Sequence, residues 1–250
     1  MPVLGLSLSA ENARVAAGQD DRVGLVLLER TLHEPPRLAA MQRWSAVVRR
    51  RFPNAEQAPF VWHLVSHDRD DGLRGRSRRR PAGDEGAFGG LQATEEVARA
   101  WDVSRLCVQG CGGSRVILRT GPSLTPGVLG RRRLRAFAEA RAAESITITW
   151  ESEGLWEPDV ARAFARELGI AVCLPAFLGG RPCYEDPAGP VLVGREVWLR
   201  IGGTGPHSRI DGAQTDALLE HVEAVPDATL IFTGPRALKH LREFAAFLAV

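Results

Sequence analysis

Two glutamates near the middle of the chain have a spacing that acid–base chemistry can use. Glu151 and Glu153 lie two residues apart in the stretch "TITWESEG", and on an extended strand such side chains share a face. Two carboxylates in different environments can act as general acid and general base, and with histidines they can bind a divalent metal. Because the stretch leaves the strand into glycine, both glutamates could instead be solvated loop residues.

Three histidines and a third glutamate could join this pair. His63 and His67 are four residues apart, but a metalloprotease helix has a glutamate directly after its first histidine, and Leu64 stands there. We therefore expect no metal site and no cofactor. Convergence of these groups would still suit a hydrolase acting on phosphoesters or nucleic acid. The catalytic candidates are His33, His67, Glu29 and Glu151.

The stretch "VWLRIGGTGPHSRID" runs from an apolar strand into glycines. Arg200 lies near the end of that strand, where a charged side chain needs an anionic ligand or an internal carboxylate such as Glu29 or Glu151. A P-loop is excluded, because it requires a lysine and a helix directly after the glycines. We expect Arg200, Gly203 and His63 to be ligand-binding residues for an anion, with internal pairing of Arg200 as the alternative.

A glycine-rich and charged segment interrupts the pattern at about residues 68–90. Its composition predicts a flexible loop. Arginines at its centre could contact phosphate groups or nucleic acid, although the flanking acidic residues could neutralise them. The candidates for this contact are Arg76, Arg78, Arg79 and Arg80.

Apolar runs alternate with amphipathic stretches along the 250 residues. Strands are predicted at 3–9, 23–29, 58–66, 104–110, 115–121, 145–150, 170–175, 196–203 and 229–234, and helices at 35–52, 93–103, 130–143, 157–169, 211–225 and 234–249. This alternation indicates an α/β protein with a parallel sheet. The length favours a single TIM-like (β/α) barrel domain over residues 1–250, with an open doubly wound sheet as the alternative.

The function of such a barrel is expected at the carboxyl ends of its strands. The candidate residues there are Glu29, His33, His63, His67, Trp150, Glu151, Glu153, Arg200 and His207.

Net charge, hydropathy and cysteine spacing exclude several classes of protein. A formal net charge of +2 and a pI of about 8.5 argue against a dedicated nucleic-acid binder. No apolar run reaches the roughly 20 residues that span a bilayer, and no basic leader is visible, so a cytoplasmic protein is expected. The four cysteines lack the spacing of a metal ribbon and are expected to be buried thiols.

The order of these motifs resembles that of the YecE-like family, a group of barrels known as domain of unknown function seventy-two. The stretch "VLLERTLHEPPRLAAMQRW" is similar to the family's early strand, proline and tryptophan, matched here by Thr31, Pro36 and Trp44. The pair Ser66-His67 resembles the family's Thr-His pair. The other similar stretches are "RVILRTGPSLTPGVLGRRRLRAFAEA", "ITITWESEGLWEPDVARAFARELGIAVCLP", "VWLRIGG" and "TLIFTGPRALKHLREFAAFL". The resemblance implies a TIM-like barrel, in a family whose activity is itself unsettled.

Departures from the family's polar residues bear on function. Its strand lysine is replaced by His63, its strand histidine by Gly202 and its terminal asparagines by Thr233 and Gly234, while one arginine is kept as Arg200. We therefore expect a divergent, non-catalytic or catalytically reduced barrel that binds an anionic ligand or a protein partner. The hydrolase is the alternative.

Overall fold

The computed structural model describes residues 1–9, 19–71, 82–179, 181–183, 197–202 and 209–249. Its strands are β1 (Val3–Leu8), β2 (Leu25–Leu28), β3 (Glu56–Pro59), β4 (Arg115–Thr120), β5 (Thr147–Ser152), β6 (Ala171–Pro175), β7 (Phe177–Leu178), β8 (Arg181–Pro182), β9 (Val197–Gly202) and β10 (Thr229–Thr233). Its helices are α1 (Arg30–His33), α2 (Leu38–Arg51), α3 (His63–Ser66), α4 (Glu95–Cys111), α5 (Val128–Ala143), α6 (Pro158–Glu167), α7 (Gly212–Ala224) and α8 (Ala237–Phe247).

Eight of these strands form one sheet in the order β3-β2-β1-β10-β9-β6-β5-β4, and β7 pairs with β8 in a small hairpin. The pairs β1–β10, β9–β10 and β4–β5 are parallel. An isolated parallel bridge joins Phe60, directly after β3, to Ile117 in β4, and so connects the strands at the two ends of the order. This confirms the α/β fold class and the TIM-like (β/α) barrel.

Two compact units are distinguished by their internal contacts. The first unit comprises Met1–Leu27, Val48–Glu56 and Cys173–Val250, and the second comprises Leu28–Val47 and Gln57–Val172. The expectation of one domain over the whole chain stays a prediction.

The first unit is built on β1, β9 and β10. In register, Gly5 of β1 faces Ile231 of β10, and Ile231 faces Arg200 of β9. Helix α8 packs its buried face on β1 and β10, with Phe244 5.8 Å from Phe232 between ring centroids. Buried apolar side chains on both faces of the strands are typical of a parallel sheet covered by helices.

The second unit is built on β4 and β5. The indole of Trp150 in β5 donates to Thr120 Oγ1 at 3.0 Å and lies edge-on to Trp156, 4.7 Å away between ring centroids. Thr94 caps α4 by accepting a hydrogen bond from the Val97 amide at 3.2 Å. These contacts fix the strand ends on which the candidate site lies.

Two strand predictions were wrong. Residues 104–110 lie inside α4, whose buried positions Ser104, Cys107, Val108 and Cys111 follow the helical spacing of three and four. Residues 58–66 do not form one strand, because β3 ends at Pro59 and His63–Ser66 form a helical turn.

The ends of the charged segment are folded within the described residues. Short 3₁₀ helices cover Arg69–Asp71 and Glu85–Ala87. Residues 72–81, which include Arg76, Arg78, Arg79 and Arg80, lie outside the described part, so nucleic-acid contact by these arginines stays a prediction.

Three of the four cysteines match the expectation of buried thiols. Cys107, Cys111 and Cys173 are buried, Cys183 is half-buried, and the four form no disulfide. Burial raises the pKa of the Cys183 thiol to about 11. Across the described ranges, the chain contains no helix with the length and apolar character needed to cross a membrane.

Candidate functional site

A buried arginine at the end of β4 organises the site in the second unit. Arg119 faces Glu151 of β5 in the parallel register. Its Nη2 atom lies 3.0 Å from Glu29 Oε1 and 3.2 Å from both oxygens of Glu151, and its Nε lies 3.9 Å from Glu153 Oε1. One guanidinium therefore gathers three of the glutamates that the sequence analysis singled out.

The position of each glutamate follows from the strand that precedes it. Glu29 comes directly after β2, Glu151 lies in β5 and Glu153 comes directly after β5. Because Glu151 and Glu153 both contact Arg119, they share a face as their spacing predicted. The exposed fraction of the side chain is 11% for Arg119 and 12% for Glu151 but 44% for Glu153. Glu153 is thus the member most accessible to solvent.

Phe60 and Thr31 support the arginine from the neighbouring strand end. The guanidinium carbon of Arg119 lies 4.8 Å from the centroid of the Phe60 ring, within the range of a cation–π contact. The amide of Phe60 donates to Thr31 Oγ1 at 2.7 Å, and that hydroxyl lies 2.8 Å from the carbonyl oxygen of Leu28. The Thr31 hydroxyl therefore links Leu28, the residue before Glu29, to Phe60, whose ring contacts Arg119.

Two opposing effects act on the pKa of Arg119. Burial by itself lowers the pKa of a guanidinium, but the negative charges of Glu151 and Glu29 outweigh burial and hold the pKa of Arg119 above its ordinary range. Arg119 is therefore a permanent cation at the centre of the cluster.

His33 and His63 lie close together in the same unit. Their ring centroids are 6.3 Å apart. The His63 Nδ1 atom lies 2.8 Å from the carbonyl oxygen of Leu32, and since a carbonyl only accepts, His63 donates there. Two of the three predicted histidines, His33 at the end of α1 and His63 at the start of α3, thus lie close to each other.

His67 is fully buried at the end of α3. Its Nδ1 shares a hydrogen bond of 3.0 Å with Ser66 Oγ, and its Nε2 has no hydrogen-bond partner among the described residues. Burial lowers the pKa of His67 to about 4, against the opposing influence of the Asp71 carboxylate. The imidazole is therefore neutral at pH 7.

Asp71 fixes the chain that follows His67. Its Oδ2 accepts from the Asp68 amide at 2.8 Å and from the Ser123 hydroxyl at 2.7 Å, and its Oδ1 accepts from the Ser123 amide at 3.1 Å. A Cβ on Gly121 would lie 2.0 Å from Asp71 Oδ2 and 2.8 Å from His67 Cδ2. The carboxylate and the imidazole therefore both pack on this glycine, directly after β4.

The structure places Trp150 and Arg200 on β5 and β9. Trp150 is a core residue, held by Thr120 and Trp156. Arg200 is half-buried on β9 in the first unit, and its pairing with an anionic ligand or with an internal carboxylate stays a prediction. Gly203 and His207 lie outside the described residues.

Arg119 itself was missed by the sequence analysis. The signal was present, because "RVILRTG" places an arginine near the end of a buried strand in the same way as Arg200. Within the described ranges, no set of three or more His, Cys, Asp or Glu side chains is arranged to hold a metal ion. The described ranges show an ion-paired cluster around Arg119, with the neutral His67 in the same unit.

Comparison with known proteins places the fold. No protein-family model matches the chain, and no curated protein matches it. A DUF72 family protein from Enterococcus faecalis V583 superimposes with a TM-score of 0.61 at 12% identity, over 100% of this chain and 96% of that one. A DUF72 family protein from Thermotoga maritima MSB8 gives 0.56 at 13% identity, over 100% of both chains.

The fold is also similar to that of a protein outside the DUF72 group. A xylose isomerase domain containing protein from Salmonella typhimurium LT2 gives a TM-score of 0.53 at 12% identity, over 98% of this chain and 96% of that one. At such identities the likeness concerns the fold. The chain therefore has the fold of the DUF72, or YecE-like, barrels, which confirms the resemblance drawn from its motifs.

Proposed function

We propose that the protein is a non-catalytic or catalytically reduced barrel that binds an anionic small molecule or a protein partner. One observation supports this most directly: the glutamates that could act as acid and base all contact Arg119. Breaking a buried ion pair on one side costs about 3–5 kcal/mol. Acid–base catalysis by Glu29 or Glu151 would have to disturb such a pair in every turnover.

Arg200 is the arginine to test for the anionic ligand. Arg200 lies half-buried near the carboxyl end of β9, the end at which a barrel of this fold binds its ligands. An anion can pair with a guanidinium in a two-pronged, charge-assisted arrangement. Gly203 follows this strand and remains the second candidate for contact through its backbone.

Native mass spectrometry of protein purified from its own host tests the proposal. We expect a retained small anion or a bound partner in the wild type, lost in Arg200→Gln. The matched control is Arg132→Gln, an exposed arginine on α5 that should leave the retained mass unchanged. A wild-type protein that retains nothing, and that gains no thermal stability from a panel of phosphorylated and carboxylated metabolites, would contradict the proposal.

A hydrolase is the second candidate, because His33, His63 and Glu29 lie in the same unit as the neutral His67. It predicts hydrolysis of a generic phosphodiester such as bis-p-nitrophenyl phosphate, or of single-stranded DNA or RNA, with and without divalent metal. Turnover that disappears in His33→Ala and Glu151→Gln, but not in the exposed control Glu139→Gln, would establish the hydrolase and overturn our proposal.

A further inference from the structure

The imidazole of His67 is enclosed although one of its nitrogens has no hydrogen-bond partner in the described part of the chain. The side chain has no exposed surface, and Nε2 makes no hydrogen bond there. Buried polar atoms are nearly always paired in folded proteins, so an orphaned one calls for a specific explanation. One such explanation is that a ligand pairs with His67 Nε2 in another conformation of the protein.

Asp71, which packs on Gly121 beside His67, is held in place by hydrogen bonds at the protein surface. Asp71 binds the amide and hydroxyl of Ser123, and these contacts are exposed to solvent. Water can replace exposed hydrogen bonds at little cost, whereas the buried groups beneath them stay in place. The contact between Asp71 and Ser123 is therefore easier to open than the packing of α3 or β4.

Gly121 relates Asp71 to the histidine. The Asp71 carboxylate and the edge of the His67 ring both approach the position where a Cβ of Gly121 would lie, at 2.0 and 2.8 Å. Asp71 also acts electrostatically on His67, as do Arg119, His63 and His33. Asp71 and His67 therefore both pack against Gly121, and the imidazole lies within the field of Arg119.

We propose that Asp71 and Ser123 form a latch that encloses His67, and that opening this latch makes His67 Nε2 accessible to an anionic ligand. This regulation rests on the proposed function for its purpose, since an anion-binding barrel would supply that ligand. The latch itself is a property of the chain and is testable without the ligand.

Diethyl pyrocarbonate, which acylates accessible neutral imidazoles, tests the latch. The rate at His67 is measured by mass spectrometry of the peptide, with fragment ions separating His67 from His63. We expect slow modification in the wild type and a rate about tenfold higher in Ser123→Ala and in Asp71→Ala, since weakening by 1.4 kcal/mol corresponds to a factor of ten. Ser123→Ala, the exposed and milder change, serves if Asp71→Ala fails to fold.

Two controls make the result specific. Asp84→Ala removes a carboxylate of the same segment that accepts from the Gly86 amide instead, and it should leave the His67 rate unchanged. The rates at His221 and His240 of the first unit should also stay constant.

Equal His67 rates in the wild type and in a folded latch variant would overturn the proposal. A parallel rise at all histidines would do the same, since it would show general loosening. A wild type that binds no anion, while its latch variants show the expected rise at His67, would instead count against the proposed function.

Discussion

At the scale of single residues, the candidate site depends on how one buried cation is neutralised. Arg119 is nearly inaccessible, and Glu29 and Glu151 approach it from two strand ends. A buried charge is tolerated only when paired. The same pairs therefore hold the strand ends together and remove the arginine from competition for a ligand.

Replacing Arg119 by methionine should destabilise the protein strongly at pH 7. The change keeps the apolar stem but leaves partly buried carboxylates without their cation, for which a loss of about 3–5 kcal/mol is expected. Urea unfolding at pH 7 followed by circular dichroism measures this loss.

The control for this change is Arg105→Met in the same unit. Arg105 and Asp102 form an ion pair of 3.1 Å whose side chains are 57% and 60% exposed, so a loss of less than about 1 kcal/mol is expected. Equal losses in the two variants would show that the Arg119 cluster contributes no more than a surface pair.

His67 should make the protein less stable in mild acid. Its pKa is about 4 in the folded state against 6.5 ordinarily, so between these values only the unfolded chain takes up the proton. Stability from this group is complete above pH 6.5 and is lost as the pH falls towards 4, by about 3 kcal/mol in all.

The His67→Gln variant isolates this effect. Its free energy of unfolding should fall less steeply than that of the wild type between pH 7 and pH 4, whatever its absolute stability. The lowered pKa values of His221 and His240 contribute to both proteins and cancel in the comparison. Identical slopes would mean that His67 titrates normally.

At the scale of elements, α4 shows how closely the helices of the second unit pack. Gly110 of α4 lies against Met41 of α2, where a Cβ would meet the Met41 Cγ and Cβ at 2.7 and 2.8 Å. The interface thus uses a residue without a side chain in the last turn of the helix. The apolar stretch 104–110 resembles a strand because this glycine and the small buried residues around it hide the helical period.

Gly110→Ala should therefore destabilise the protein, although alanine favours helices over glycine by about 1 kcal/mol. Overpacking against Met41 is expected to cost about 1–3 kcal/mol. Gly212→Ala in α7 is the control, because nothing lies within 4 Å of the added Cβ, and it should be neutral or stabilising. Thermal unfolding of both variants measures the change in stability. A stabilised Gly110→Ala would show that the interface between α2 and α4 accommodates a Cβ at this position.

At the scale of the whole molecule, residues far apart in sequence meet in the first unit. Asp20, whose side chain is 1% exposed, binds Arg22 at 2.8 Å and Arg242 of α8 at 2.7 Å. Burial alone would raise the pKa of Asp20, but the hydrogen bonds from both arginines outweigh it and lower that pKa. The stability that Asp20 provides is present above its ordinary pKa and is lost as the pH falls below it.

Arg242→Met should weaken the attachment of α8. It should also reduce the loss of free energy of unfolding that protonation of Asp20 causes at low pH. The control on the same helix is Lys239→Met, whose pair with Glu243 is exposed and spans 3.5 Å, so its effect should stay below about 1 kcal/mol. A double-mutant cycle with Asp20→Asn measures the coupling directly. A coupling near zero would show that Asp20 relies on Arg22 alone.

The barrel could be predicted from sequence because continuous apolar runs mark the buried strands and each amphipathic helix carries its own period. The glutamates could be predicted because they end apolar strands. The contact of both Glu29 and Glu151 with Arg119 could not be predicted, since it depends on which strands are neighbours: β4 adjoins β5. The helical turn at His63–Ser66 was also hidden, because its buried apolar residues continue the composition of β3.

The bridge between Phe60 and Ile117 has a consequence for motion. It joins the first and last strands in the sheet order, and the Val61 amide donates to the Ile117 carbonyl at 2.9 Å beside it. Phe60 also carries the Arg119 guanidinium on its ring. Any opening of the bridge must move the Phe60 ring away from the Arg119 guanidinium. Deuterium uptake at the Val61 amide would therefore report how often the strand ends around Arg119 rearrange.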